Sequence, residues 1–195
     1  MAELTFNQRL QKHRVMIARV IWIALILFLF VYQRTPVMPL DSTFGILGIV
    51  VTMLGVTVRS LSAGALRKNE VLATEGLYAI VRNPLYLGSL LMIIGVNIIV
   101  AQWLVAVVSA FLFVITYVPT ILNEEKGLLH AYGEEWIAYT KRTPRLFPNP
   151  LKLGELANHR WSARQWYKNH EHNTVIAAIA VLLVLHFYQR YLAIQ

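Results

Sequence analysis

Residues 75–88 read Glu-Gly-Leu-Tyr-Ala-Ile-Val-Arg-Asn-Pro-Leu-Tyr-Leu-Gly, and the reading of this stretch decides the fold. It lies between two long apolar runs and stays polar up to the start of the second. Gly76 admits a backbone turn that other residues resist. Pro84 suits the first turn of a helix, where no N–H is needed, and Asn83 just before it can cap. A helix therefore starts at Pro84 and runs straight into apolar sequence, with Arg82 at its head and Tyr78 and Tyr86 close by. A snorkelling arginine within an aromatic belt would give the same pattern. A second polar block further along the chain is what favours a functional site.

Working outward, the chain alternates between apolar runs and polar segments. Spans are expected at about 15–32, 44–61, 85–100, 103–122 and 174–191, each approaching the ~20 residues needed to cross the hydrocarbon. Only Ala101 and Gln102 separate the third span from the fourth, so these two must form an antiparallel hairpin. Gly45, Gly48, Gly55 and Gly64 give the second span a small-residue face for close helix packing. Of the 195 residues, 57% are hydrophobic and 14% charged. Soluble domains carry about 25% charged residues, so the bilayer is the natural solvent for this chain. The fold class expected is all-α: one integral membrane helical bundle, a single domain over 1–195, with about five transmembrane helices. The first run lacks a small-residue cleavage site and reads as a retained span.

The net charge of +8 does not point to nucleic acid, because the basic residues flank apolar runs and form no separate basic domain. With the N-terminus cytosolic, sixteen of the eighteen Lys and Arg fall on the inner side, leaving Arg34 and Arg190 outside. The positive-inside rule selects that orientation. Segments 62–84 and 123–173 then both face the cytosol, tied together by the helical hairpin. The chain has no cysteine, which excludes disulfides, thiolate catalysis and Cys-ligated zinc. His159, His170 and His172 are irregularly spaced and lack an accompanying carboxylate cluster, so no metal is expected. The 160–168 stretch mixes cations with Trp161, Trp166 and Tyr167 and reads as an interfacial helix facing anionic headgroups.

The second polar block opens with Asn123-Glu124-Glu125 directly after the fourth span. Successive helix positions point about 100° apart, so one carboxylate can face inward while its neighbour meets water or a cation. Leu128, Leu129, Tyr132, Trp136 and Tyr139 recur at helical spacing, as on an amphipathic surface helix, and Arg145 precedes the stop at Phe147-Pro148. Together, 72–78, 81–88, Glu124-Glu125 and the segment from Tyr132-Gly133 to Arg145-Leu146-Phe147-Pro148 resemble the isoprenylcysteine carboxyl methyltransferases and the related phospholipid methyltransferases. The resemblance covers roughly residues 50–150. It implies a multi-span membrane enzyme with a cytosolic-side pocket for S-adenosylmethionine and a hydrophobic or lipidated acceptor that enters from the membrane lipids.

Residue by residue, the resemblance and the chemistry of the cofactor give a candidate site. Carboxylates Glu124 and Glu125 suit ribose hydroxyls or an ammonium, the faces of Tyr78, Tyr86 and Tyr132 suit adenine or a sulfonium, and amides around Gly76 suit a carboxylate. Arg82, Asn83 and Pro84 complete the cofactor-binding set. Arg82, Arg145 and Glu125 are the catalytic candidates: the arginines for an acceptor carboxylate, the glutamate for the proton of an amine acceptor. One departure stands out, since the family usually has His where this chain has Asn83. Asn can cap the helix or donate an amide hydrogen bond, but it cannot act as a base. An NADPH-dependent membrane reductase is the main alternative, because the steroid reductases share an Arg-x-Pro-x-Tyr element. A non-catalytic membrane scaffold is the other.

Overall fold

The computed structural model describes residues 34–67, 70–158 and 160–194, with Val20, Ala24 and Phe28. The expected first span at 15–32 and the basic residues before it therefore lie outside the described residues, apart from those three positions.

Every regular element among the described residues is a helix, and no strand is found among them. Helix α1 (Thr43–Ala65) begins at Ser42, whose hydroxyl accepts from the Gly45 amide and so satisfies one of the free N–H groups of the first turn. A one-turn helix α2 (Leu77–Ile80) follows Gly76, which sits at φ 58°, where a side chain would be strained. Helix α3 (Pro84–Val100) has proline in its first turn and ends at Ala101 in the left-handed region. Helix α4 (Trp103–Arg142) follows within two residues, giving the tight hairpin. A 3-10 segment (Pro150–Asn158), a short helix α5 (Ala163–Lys168) and helix α6 (Glu171–Ile194) complete the chain.

By length and composition, α1, α4 and α6 can each cross a membrane, and the 17-residue α3 is a shorter apolar helix beside them. At 23 residues α1 is about 35 Å long, enough for a ~30 Å hydrocarbon core. Val50, Phe111 and Val184 on these helices are more than half exposed, an apolar surface that lipid can cover.

The glycine face of α1 does bring helices together, but with only two of its four members. A methyl group at Gly48 would lie 2.7 Å from the Gly95 carbonyl oxygen, and one at Gly55 would lie 2.6 Å from that of Gly88. The backbones of α1 and α3 thus touch, with no room for side chains between them. Gly45 instead meets the Pro39–Leu40 turn, and Gly64 meets the Trp161 indole. At the far end of the bundle, Val37, Ile99, Val100, Val105 and Leu185 form an apolar cluster that joins the hairpin turn to α6. The Tyr188 hydroxyl donates to the Thr35 carbonyl there, at 2.9 Å.

One expectation needs correction. The periodic apolar face after the fourth span does not make one surface helix. Instead α4 runs on from its apolar half to Tyr132, breaks at Gly133 (φ 50°, ψ −119°), and resumes until Thr143. Past that break Trp136 and Tyr139 are buried within the protein. The 160–168 stretch, most of it exposed, docks on the end of α1. Trp161 Nε1 donates to Ser60 O, the Ser162 amide to Gly64 O, Gln165 Nε2 to Leu66 O, and Asn169 Nδ2 to Ala63 O and Leu66 O. Carbonyls that the helix itself cannot satisfy at its C-terminus are thereby paired. Within α3, Asn97 Nδ2 donates to Ile93 O, at 2.8 Å.

Candidate functional site

The two polar blocks close on each other through the backbone first. Gly76 turns the chain so that α2 offers its carbonyls to the second block. Tyr139 Oη donates to Tyr78 O at 2.6 Å, Thr143 Oγ1 to Ala79 O at 3.3 Å, and the Asn149 amide to Ile80 O at 3.1 Å. In return, the Arg82 amide donates to Pro144 O at 2.8 Å. Three successive carbonyls of one block are thus taken by the other, so the side chains between them are held at fixed separation.

Those side chains converge on Glu125, which is 8% exposed. Arg145 approaches it as a fork, with Nε 3.1 and 3.0 Å from the two carboxylate oxygens and Nη2 2.8 Å from Oε2. Arg82 Nη1 lies 3.3 Å from Oε1, and Asn83 Nδ2 donates to the same oxygen at 3.3 Å. Asn83 also donates to Arg145 O at 3.1 Å, so its amide is spent on the cluster and does not cap α3. Hydrogen bonding to Glu125 raises the Arg145 pKa further, against a smaller lowering by burial. Two guanidiniums around one carboxylate leave the cluster with a net positive charge.

Glu124, one position earlier, is exposed and accepts from Tyr86 Oη at 2.7 Å. The Tyr86 ring meets Tyr117 edge-on at 5.4 Å. The two adjacent carboxylates therefore take opposite roles, as helical spacing requires: one buried among cations, one open and held by a phenol. Arg82 also lies over the Trp136 ring, 5.9 Å from its centroid. Its buried Nε, and the buried hydroxyl of Tyr78, have no hydrogen-bond partner among the described residues. Burial, more than the neighbouring Tyr139 and Glu124, pushes the Tyr78 phenol up from its ordinary value, so it stays a neutral donor.

Of the sequence candidates, Arg82, Asn83, Glu125 and Arg145 meet directly, and Tyr86 and Glu124 form a second pair beside them. Gly76 and Pro84 act through the backbone. Tyr132 is half-buried at the end of the first part of α4, and none of the hydrogen bonds of the cluster reaches it. An open cavity of about 440 Å³ is lined by Arg82 together with Lys141, Arg142, Thr143 and Asn149. Among the described residues no group of three His, Asp or Glu side chains could hold a metal ion. His172 instead stacks on Tyr167 with ring centres 4.5 Å apart, and His159 lies outside the described residues.

Comparison with known proteins bears on this arrangement. The family model described as phospholipid methyltransferase matches residues 21–135, which include both Arg82-Asn83-Pro84 and Glu124-Glu125. The chain belongs to the phospholipid methyltransferase family. Within the wider group, it is 34% identical over 79 residues to protein-S-isoprenylcysteine O-methyltransferase of Mus musculus, covering 40% of this chain and 28% of that protein. It is 35% identical over 143 residues to the cobalt-zinc-cadmium resistance protein CzcN of Cupriavidus metallidurans, 71% of this chain and 65% of that protein. It is also 31% identical over 143 residues to the nickel-cobalt-cadmium resistance protein NccN of Alcaligenes xylosoxydans xylosoxydans, 71% of this chain and 66% of that protein. The chain thus spans just under two thirds of the length of the two resistance proteins. No solved structure matches it.

Sequence reasoning missed one pair, Arg59 and Glu171. Arg59 Nε and Nη2 each lie 2.9 Å from an oxygen of Glu171, which is 2% exposed. The available signal was an arginine inside an apolar run, counted only toward orientation, and an acid at the head of the last run. Ionisable groups in such places warrant a search for a partner.

Proposed function

We propose that this member of the phospholipid methyltransferase family is an integral membrane enzyme that transfers a methyl group from S-adenosylmethionine to a lipid-like or lipidated acceptor. The observation that carries the reading is the joining of the two polar blocks over Glu125, with the Glu124–Tyr86 pair open beside it. The residues fit the cofactor's chemistry. Glu124 offers a carboxylate for ribose hydroxyls or the ammonium, and Tyr78 offers a buried hydroxyl that lacks a partner among the described residues. When bound, the cofactor supplies an electrophilic methyl group on a sulfonium.

The chain's part is to orient and to shield. Arg82, Asn83 and Arg145 are locked by Glu125 and keep one uncompensated positive charge next to the cavity lined by Lys141 and Arg142. An acceptor carboxylate or phosphate is attracted there, and Arg presents a planar fork to it. Glu125, the glutamate expected from the sequence to take the proton of an amine acceptor, is engaged by Arg82, Asn83 and Arg145, so that role passes to the exposed Glu124. Asn83 works as a donor, and this chain has no base at the position where the family usually has His. Closing the two blocks excludes water and holds two reactants in line, which methyl transfer requires.

In the membrane, this reading places the chain as one domain over 1–195 with five spans, the N-terminus and the segments 62–84 and 123–173 in the cytosol. The test is methylation of a lipid extract with labelled S-adenosylmethionine, followed by mass spectrometry of labelled products. Calorimetry in detergent with S-adenosylhomocysteine and, separately, NADPH decides between methyl transfer and reduction. Binding of NADPH alone would overturn the proposal.

A further inference from the structure

We propose that Arg59 and Glu171 are a positioning pair for the site, through which the C-terminal helix α6 becomes one of its working parts. The inference rests on the methyltransferase reading above. Residues 136–194 lie beyond the match to the family, so nothing in that match assigns α6 a role.

The geometry gives Arg59 three tasks at once. Its Nε and Nη2 grip both oxygens of Glu171 at the start of α6, and Nη2 also reaches Thr174 Oγ1 at 3.2 Å. Its Nη1 turns to α3, donating to Ser89 Oγ at 2.6 Å and to Leu85 O at 3.3 Å. Its stem passes over Gly88, where a methyl group would lie 2.5 Å from Arg59 Cγ. Leu85 and Ser89 flank Tyr86 on the first turns of α3, the same turns that aim Tyr86 at Glu124 and follow Asn83. A guanidinium with its donors on two helices cannot shift without moving one of them. Glu171 is buried, and a buried ion pair can often be exchanged as a whole for apolar side chains of similar bulk with little loss of stability, so burial alone does not account for this one.

The test uses the full chain purified in detergent and the double substitution Arg59→Met/Glu171→Met, which keeps bulk and removes both charges. Three quantities are read: the melting transition, amide hydrogen exchange over residues 84–89, and affinity for S-adenosylhomocysteine by calorimetry. Positioning requires a melting transition near that of the wild type, faster exchange at the head of α3, and affinity reduced by about tenfold or more. A folded double variant whose affinity stays within about threefold of wild type overturns the proposal. If the double variant does not fold, Ser89→Ala takes its place, because it removes the shorter of the two hydrogen bonds from Arg59 to α3 and leaves Arg59 paired with Glu171. Its affinity should fall by about threefold or more, and unchanged affinity overturns the proposal. Should the wild type itself not bind S-adenosylhomocysteine, the cofactor reading fails. Exchange over residues 84–89 then decides the positioning alone, and unchanged exchange overturns it.

Discussion

Glu124 and Glu125 are neighbours with unlike environments, and substitution should separate them. Glu125→Gln removes the charge that holds Arg82 and Arg145. Breaking a buried pair costs about 3–5 kcal/mol, and the half-exposed Arg145 moves the expected loss toward the low end of that range. Thermal unfolding in detergent should show it. Glu124→Gln should leave stability near wild type and weaken S-adenosylhomocysteine binding roughly ten- to hundredfold, as for the loss of a charged hydrogen bond of ~1.5–3 kcal/mol. A reversed pattern, with Glu124 governing stability and Glu125 only affinity, would contradict the site. Tyr78→Phe discriminates in another way. Its hydroxyl has no partner among the described residues, so its removal should leave the ligand-free protein at least as stable while lowering cofactor affinity. The phenol is held protonated by burial, with a folded pKa above its unfolded value. Below pH ~10 both states keep the proton, whereas above it only the unfolded chain releases it, so stability falls as pH rises. Denaturation midpoints between pH 9 and 11, about the ordinary tyrosine range, should therefore decline less steeply in Tyr78→Phe.

At the scale of single elements, the break in α4 sets where Trp136 and Tyr139 can reach. Gly133 has φ 50° with ψ −119°, and a methyl group added there would meet nothing within 4 Å. Any cost of Gly133→Ala must therefore come from the backbone, about 1–3 kcal/mol for a conformation that L residues rarely adopt. Gly127 lies in the same helix, with ordinary helical geometry and open space around it. Gly127→Ala should be neutral or stabilising by up to about 1 kcal/mol. Unfolding of the two variants side by side checks this, and equal effects would mean that the break is not a fixed feature. For α1 and α3 the logic is steric. Gly55→Leu must push the Gly88 backbone away, and overpacking of about 1–3 kcal/mol or more is expected, together with displacement of the Tyr86 end of α3.

For the whole molecule, the proposed arrangement of five spans from a cytosolic N-terminus puts the C-terminus outside. A reporter fused after Gln195 should read as external. A cytosolic signal would mean that an odd number of crossings is not achieved. The sequence alone determined the helical class and the hairpin at Ala101-Gln102, but not where the helix after that hairpin ends, at Arg142. The class and the hairpin are local: a run of apolar residues must reach lipid, and proline and glycine act where they stand. It also brought out Arg82, Asn83, Glu124, Glu125 and Arg145, because polar groups at the ends of spans are few and their types are telling. Only the tertiary structure decided which of the two carboxylates is buried, that Asn83 binds Glu125 and does not cap its helix, and that 160–168 closes the end of α1. The Arg59–Glu171 pair spans 112 positions, and no periodicity joins residues so far apart. Such contacts depend on how helices cross, and that is fixed by the close approach at Gly48 and Gly55, a condition that composition and spacing allow but do not specify.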